Sequence, residues 1–175
     1  MGAATAFGYP GYAISEPVPV ELAVTIPQLK PTATPALREG EQTALVQAIP
    51  DVVQHWVQAG ISGNSDWQKD AYAVEAWNVT YLDGATNNKQ QIKVIVGQWA
   101  SDTEAAQFYR KQKAKVDGDA INVNGVLISG QTVGEYSLFA GDGEQGEIWW
   151  RNGTVVVTAA GPTEALAEFY SAYRL

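Results

Sequence analysis

One imidazole, His55, and no thiol are available for nucleophilic or acid–base chemistry in this chain. Any Ser-His-Asp or Cys-His arrangement would have to be built on that residue. Its surroundings read Asp51-Val52-Val53-Gln54-His55-Trp56-Val57-Gln58-Ala59, with Val52, Val53, Trp56 and Val57 at helical spacing. His55 then falls at the border of an apolar helix stripe. That suits a boundary residue, because the context of a catalytic base is missing. A zinc site built on His or Cys fails for want of further ligands. Asp117-Gly118-Asp119 and Asp142-Gly143-Glu144 put carboxylates on glycine-rich loops. The full calcium loop, with acids at alternate positions and a closing glutamate, is absent. No metal and no cofactor is therefore expected. Dinucleotide, P-loop, GxSxG and HExxH motifs are missing too. Asn78-Val79-Thr80 and Asn152-Gly153-Thr154 fit a glycosylation sequon, but strand alternation explains the first and a turn the second. Glycoside hydrolysis needs only two carboxylates, roughly 5 to 9.5 Å apart. Nothing in the sequence selects two of the 19 acidic residues. The chain is read as non-catalytic, with a carboxylate hydrolase as the enzymic alternative.

Aromatic side chains are the remaining candidates for recognition. There are six tryptophans, and the strongest local signal in the chain holds two of them: Glu147-Ile148-Trp149-Trp150-Arg151-Asn152-Gly153-Thr154-Val155-Val156-Val157-Thr158. Asn-Gly between runs of β-formers favours a two-residue type I′ loop. A loop at Asn152-Gly153 pairs Arg151 with Thr154, Trp150 with Val155, Trp149 with Val156 and Ile148 with Val157. Alternation then places Ile148, Trp150, Val155 and Val157 on one face, which is assigned to the core. Trp149, Arg151 and Val156 go to the other, wetter face. Alternation also puts Trp77 inside. Trp149, Arg151, Trp99 and Trp67 are left as the candidate ligand- or partner-binding residues. The competing reading is that a helix covers Trp149, since large aromatics seldom stay bare.

The elements that must position these residues follow from pattern. With 46% hydrophobic and 17% charged residues the chain has a globular composition. Its length suits one domain. The formal net charge of −8 and the lack of a basic run argue against nucleic acid and against an anionic membrane surface. No apolar run is long enough to span a bilayer, and no charged-then-apolar start marks a signal peptide. Met1-Gly2 is read as a remnant standing where an anchor was removed.

Residues 1–36 differ from the rest, holding six of the eight prolines. They are read as an extended arm or linker, with Phe7, Tyr9 and Tyr12 as candidate partner contacts. Residues 37–175 are read as a single α+β domain. A helical segment from Glu39 to Ala59, kinked or broken at Pro50, comes first, and Gly60 to Gln68 reads as a loop. Strands follow over Tyr72 to Leu82 and Gln90 to Trp99, then a helix over Asp102 to Val116, capped by Thr103 or Asp102. Asn124-Gly125 marks a second, short hairpin within Ile121 to Ile128. A strand over Glu135 to Ala140, the opening hairpin and a helix over Pro162 to Tyr173 complete the chain.

Ile92-to-Tyr109 and Gly153-to-Tyr170 echo each other at an offset of 61, with Val94 on Val155, Val96 on Val157, Phe108 on Phe169 and Tyr109 on Tyr170. The expected fold is an antiparallel sheet with helices packed on one face, built from two tandem β-β-α units. The expected function is a non-catalytic, extracytoplasmic accessory or sensor-like domain that binds a protein partner and is tethered by its arm. The alternative is a small-ligand or carbohydrate-binding domain using exposed Trp on the sheet.

Overall fold

The computed structural model describes residues 31–84, 90–116, 120–128, 131–140, 144–173 and 175. Phe7, Tyr9, Tyr12, the Asp117-Gly118-Asp119 acids and Asp142 lie outside the described residues. In chain order the elements are α1 (Ala44–Ala48), β1 (Val52–Val53), β2 (Trp56–Gly63), α2 (Ser65–Asp70), β3 (Glu75–Asp83), β4 (Gln91–Gln98), α3 (Asp102–Lys113), β5 (Ala120–Ile128), β6 (Gln131–Ala140), β7 (Gln145–Asn152), β8 (Val155–Pro162) and α4 (Thr163–Ala172). The strands form one antiparallel sheet in the order β1-β2-β3-β4-β8-β7-β6-β5. The architecture is mixed α+β. Two meanders meet at its centre, where β4 pairs with β8 through Val94↔Ala159 and Val96↔Val157.

Helices cover both faces of this sheet, not one. On the first face Val79, Tyr81, Ile92, Val94, Val96, Ile148, Trp150, Val157 and Ala159 pack with Leu45 of α1, its C-cap Ile49, and Leu166 and Phe169 of α4. On the second, Ala76, Trp149 and Val156 pack with Ala105, Phe108 and Tyr109 of α3, while Trp67 of α2 leans on them. A strand buried on both sides loses its alternation and becomes apolar throughout. Ile148-Trp149-Trp150 and Val155-Val156-Val157 are such runs. The two helix starts, Asp102 and Thr163, also lie 61 residues apart. Val94, Val96, Val155 and Val157 share the first face, yet α3 and α4 cross to opposite ones.

The expected register is displaced by one pair. Asn152 faces Val155, Arg151 faces Val156, Trp150 faces Val157 and Trp149 faces Thr158. The loop is therefore Gly153-Thr154, with Gly153 at φ +57. Positive φ at the first loop position alone is the type II′ pattern. Each partner moved by two residues, so the pleat is preserved and every side chain keeps its expected face.

The first half departs further from expectation. The helix stops at Ala48, and Val52, Val53, Trp56 and Val57 belong to a β1–β2 hairpin closed by Gln54-His55, with Gln54 at φ +54. Spacing of i, i+1, i+4, i+5 fits a helix stripe and a β-turn-β alike. Pairing of β2 along β3, from Trp56↔Asp83 to Gly63↔Trp77, decides for the strand. Asn64 caps α2 within the expected loop, accepting from the Trp67 N–H at 2.9 Å. Ser101, one residue before the expected cap, accepts from the Glu104 N–H and starts α3. Asn124-Gly125 makes no hairpin. β5 runs straight through it, with Gly125 opposite Glu135 of β6.

Upstream of α1 the chain is stitched to the sheet. Thr32 donates from its N–H and hydroxyl to the Gly84 carbonyl, and the Ala36 N–H donates to the Gln58 carbonyl. The Arg38 guanidinium donates to the Val46 and Ile49 carbonyls and to Gln58 Oε1, and pairs with Asp51. It supplies the acceptor-satisfying end that a five-residue helix cannot provide for itself.

Candidate functional site

The second face carries the features that a simple core does not need. Its base is Gly97 in β4. A Cβ there would stand 2.7 Å from Trp67 Cε3 and 3.0 Å from the Trp99 ring. Glycine thus lets both indoles lie against the strand. Trp67 stacks on Trp149 at 5.9 Å between centroids with planes 19° apart, and meets Phe108 edge-on at 4.8 Å. Trp99 stacks on Phe108 at 4.4 Å and donates from Nε1 to the Ala71 carbonyl at 2.9 Å. Trp149 Nε1 donates to Glu147 Oε1 at 2.6 Å, which also accepts from Thr158 Oγ1.

Of the four residues expected on a wet face, three are inside. Trp99 is 3% exposed, Trp149 7% and Arg151 5%. Trp67 alone is half-buried with part of its surface open. The physical reason is the second apolar layer from α2 and α3, which closes over the sheet where Trp149 and Val156 were expected to meet water. Arg151 is spent on anchoring α3. It pairs with Asp102 at the helix start, contacts Glu135 at 3.4 Å and donates to the Gly153 carbonyl at 3.2 Å. Trp77 is only half-buried, with Nε1 donating to Glu75 Oε2. Tyr109 of α3 shares a buried hydrogen bond with Ser137 at 3.0 Å. Its pKa is pushed up to about 12, first by burial, with the Ser137 bond acting the other way and Glu135 adding to the rise.

What pattern reading missed is the α2–β3 corner. Tyr72 stands after the C-cap of α2 with φ +57, and is 83% exposed. Val74, two residues on, is 64% exposed. The corner is held open by backbone bonds from the Ala73 N–H to the Trp67 carbonyl and from the Val74 N–H to the Gln98 carbonyl. Behind it, a cleft of about 640 Å³ runs between α2 and α3. Trp67, Trp99 and Phe108 line its depth. Asp66 and Asp70 stand on one wall and Glu104, Gln107 and Lys111 on the other. The interior glycine of β4 was the sequence signal for close packing over that strand; Tyr72 carried none.

His55 is on the far side of this arrangement's chemistry. It sits in the β1–β2 turn with Nε2 3.9 Å from Asp83 Oδ1, beyond hydrogen-bond reach, and its ring against Trp56 at 5.0 Å. Among the described residues no hydroxyl hydrogen-bonds to it, and no three His, Cys, Asp or Glu side chains converge as metal ligands. No helix of the described residues is long and apolar enough to cross a membrane.

Neither a family model nor a curated protein matches the chain. A solved structure that matches is the extracellular domain of PknH from Mycobacterium tuberculosis, at 9% identity. The match covers 64% of this chain and 76% of that one, with a TM-score of 0.36.

Proposed function

We propose that the chain is a non-catalytic, extracytoplasmic domain that binds a protein partner through the α2–β3 corner. Tyr72 is the observation that carries this reading. A left-handed residue after a helix C-cap is usually glycine, and an ordinary side chain there costs roughly 1–2 kcal/mol. An aromatic held in that conformation and turned to solvent contributes nothing to the core. Strain retained at an exposed anchor fits recognition, where large aromatics supply most of an interface's energy. Val74 extends the apolar patch. Support for the extracytoplasmic part is the proline-rich arm, a tether by composition. The tandem β-β-α reading is carried here as a proposal about descent, supported by the shared offset. Homologues whose two units are no more alike than chance would end it.

Tyr72→Gly separates recognition from architecture. The variant should melt at the same temperature as the parent or higher, by the equivalent of about 1 kcal/mol, because the strain is relieved. A cross-linked partner captured from native envelopes by the parent should be absent from the variant. A partner retained at parental yield by Tyr72→Gly sinks the assignment.

A further inference from the structure

The cleft behind the corner shares Tyr72 with the proposed partner surface, but its polar chemistry is of another kind. We propose that it is a binding site for a neutral saccharide. About 640 Å³ is within the range of sites that enclose a small ligand. Trp67 offers an aromatic surface that is already fixed, wedged between Trp149 and Phe108 and seated on Gly97. A pre-ordered ring loses little entropy when a ligand stacks on it.

The rim is what selects the ligand class. Asp66 and Asp70 bring acceptors, Lys111 brings donors, and the Gln107 amide supplies both. None of these four exposed side chains makes a hydrogen bond or ion pair with another described residue. Exposed to solvent and uncommitted within the fold, they are available to a ligand. Both signs of charge are present, so the rim does not call for an ion. An acyl chain would want apolar walls throughout. Vicinal hydroxyls around a ring with a C–H face satisfy acceptors, donors and indole together. Glu104, Gln107, Phe108 and Lys111 share one side of α3 by their three- and four-residue spacing. They span roughly 10 Å of helix, which favours a short chain over a single ring.

The test uses the full chain on a glycan array, followed by calorimetric titration of the oligosaccharides that bind. Binding to at least one neutral glycan is expected, with an affinity that stays nearly constant between low and high salt. Asp70→Ala and Lys111→Ala should each weaken it about tenfold by removing a charged hydrogen-bond partner. Both positions are exposed, so their melting temperatures should match the parent's. Silence across the array overturns the proposal. So does an affinity that collapses with salt, or one that both variants leave untouched. Tyr72 borders both surfaces, so the separating arm is partner capture by Asp70→Ala and Lys111→Ala: capture at parental yield with glycan binding weakened lets either reading stand or fail alone.

Discussion

The two faces of the sheet are built from the same residue types to different ends. On the first face α4 closes over a continuous layer: Phe169 packs at 5.3 Å against both Tyr81 and Tyr173, and Trp150 meets Tyr170 and Tyr173 edge-on. On the second face α3 lies beside a short α2 and leaves a cleft between them. Four aromatic rings gather there, and one of them is still half open to solvent. A closed layer maximises burial. An open one keeps a rigid aromatic surface within reach of a ligand, and the strained corner stands at its edge. Aromatic content does not distinguish the two faces; what distinguishes them is the ring surface and exposed polar groups that the second one leaves uncovered.

The largest effect should come from the closed face. Phe169→Ala removes a fully buried ring and should cost about 3–5 kcal/mol, read from denaturant midpoints. A loss under about 1 kcal/mol would mean that α4 is not part of the core. A smaller effect is expected at the base of the open face. Gly97→Ala forces a methyl group against Trp67 and Trp99, and should cost about 1–3 kcal/mol. It should also shift tryptophan emission to the red as Trp67 is pushed outward. Unchanged emission would show that the indole does not rest on that strand.

The smallest difference should appear only in alkali. Burial, first of all, raises the pKa of Tyr81 and Tyr173 on the closed face; the neighbouring Tyr173 hydroxyl adds to the rise at Tyr81, whereas Tyr81 acts against it at Tyr173. Tyr81 donates to the Pro50 carbonyl at 2.6 Å, whereas the buried Tyr173 hydroxyl has no partner of good hydrogen-bond geometry among the described residues. A raised tyrosine pKa means that the folded chain holds its proton after the unfolded chain has lost it. Stability is then whole below pH about 10 and falls as pH rises beyond it. For Tyr109 that fall continues to pH about 12. Tyr81→Phe should raise the alkaline unfolding midpoint more than Tyr109→Phe does. The reverse order would place the greater desolvation on the open face.

Sequence pattern reached some of this and stopped for physical reasons. β3, β4, α3 and α4 were legible because their periodicity is long and their neighbours are turns or caps. The side of each residue in the β7–β8 hairpin was legible as well, although the pairing was not. Asn152-Gly153 invites a I′ loop, but Gly153 alone takes positive φ, and the loop slides on to Thr154. The β1–β2 hairpin hid behind a spacing that two structures share. Trp149 was placed on its proper face and given the wrong environment, since a local pattern does not say what packs on top. Tyr72 was invisible for the opposite reason: its conformation breaks a local rule, and the rule predicts glycine.

The central pair of strands sets an order of events. β4 meets β8 only across residues far apart in the chain, from Lys93↔Ala160 to Gln98↔Val155. On a ribosome, β1 to β4 emerge first with the apolar edge of Val94, Ile95 and Val96 unpaired, and they wait for the last strand before α4. Until β8 arrives, that edge is the place where a chaperone would hold the nascent chain or another chain would pair with it.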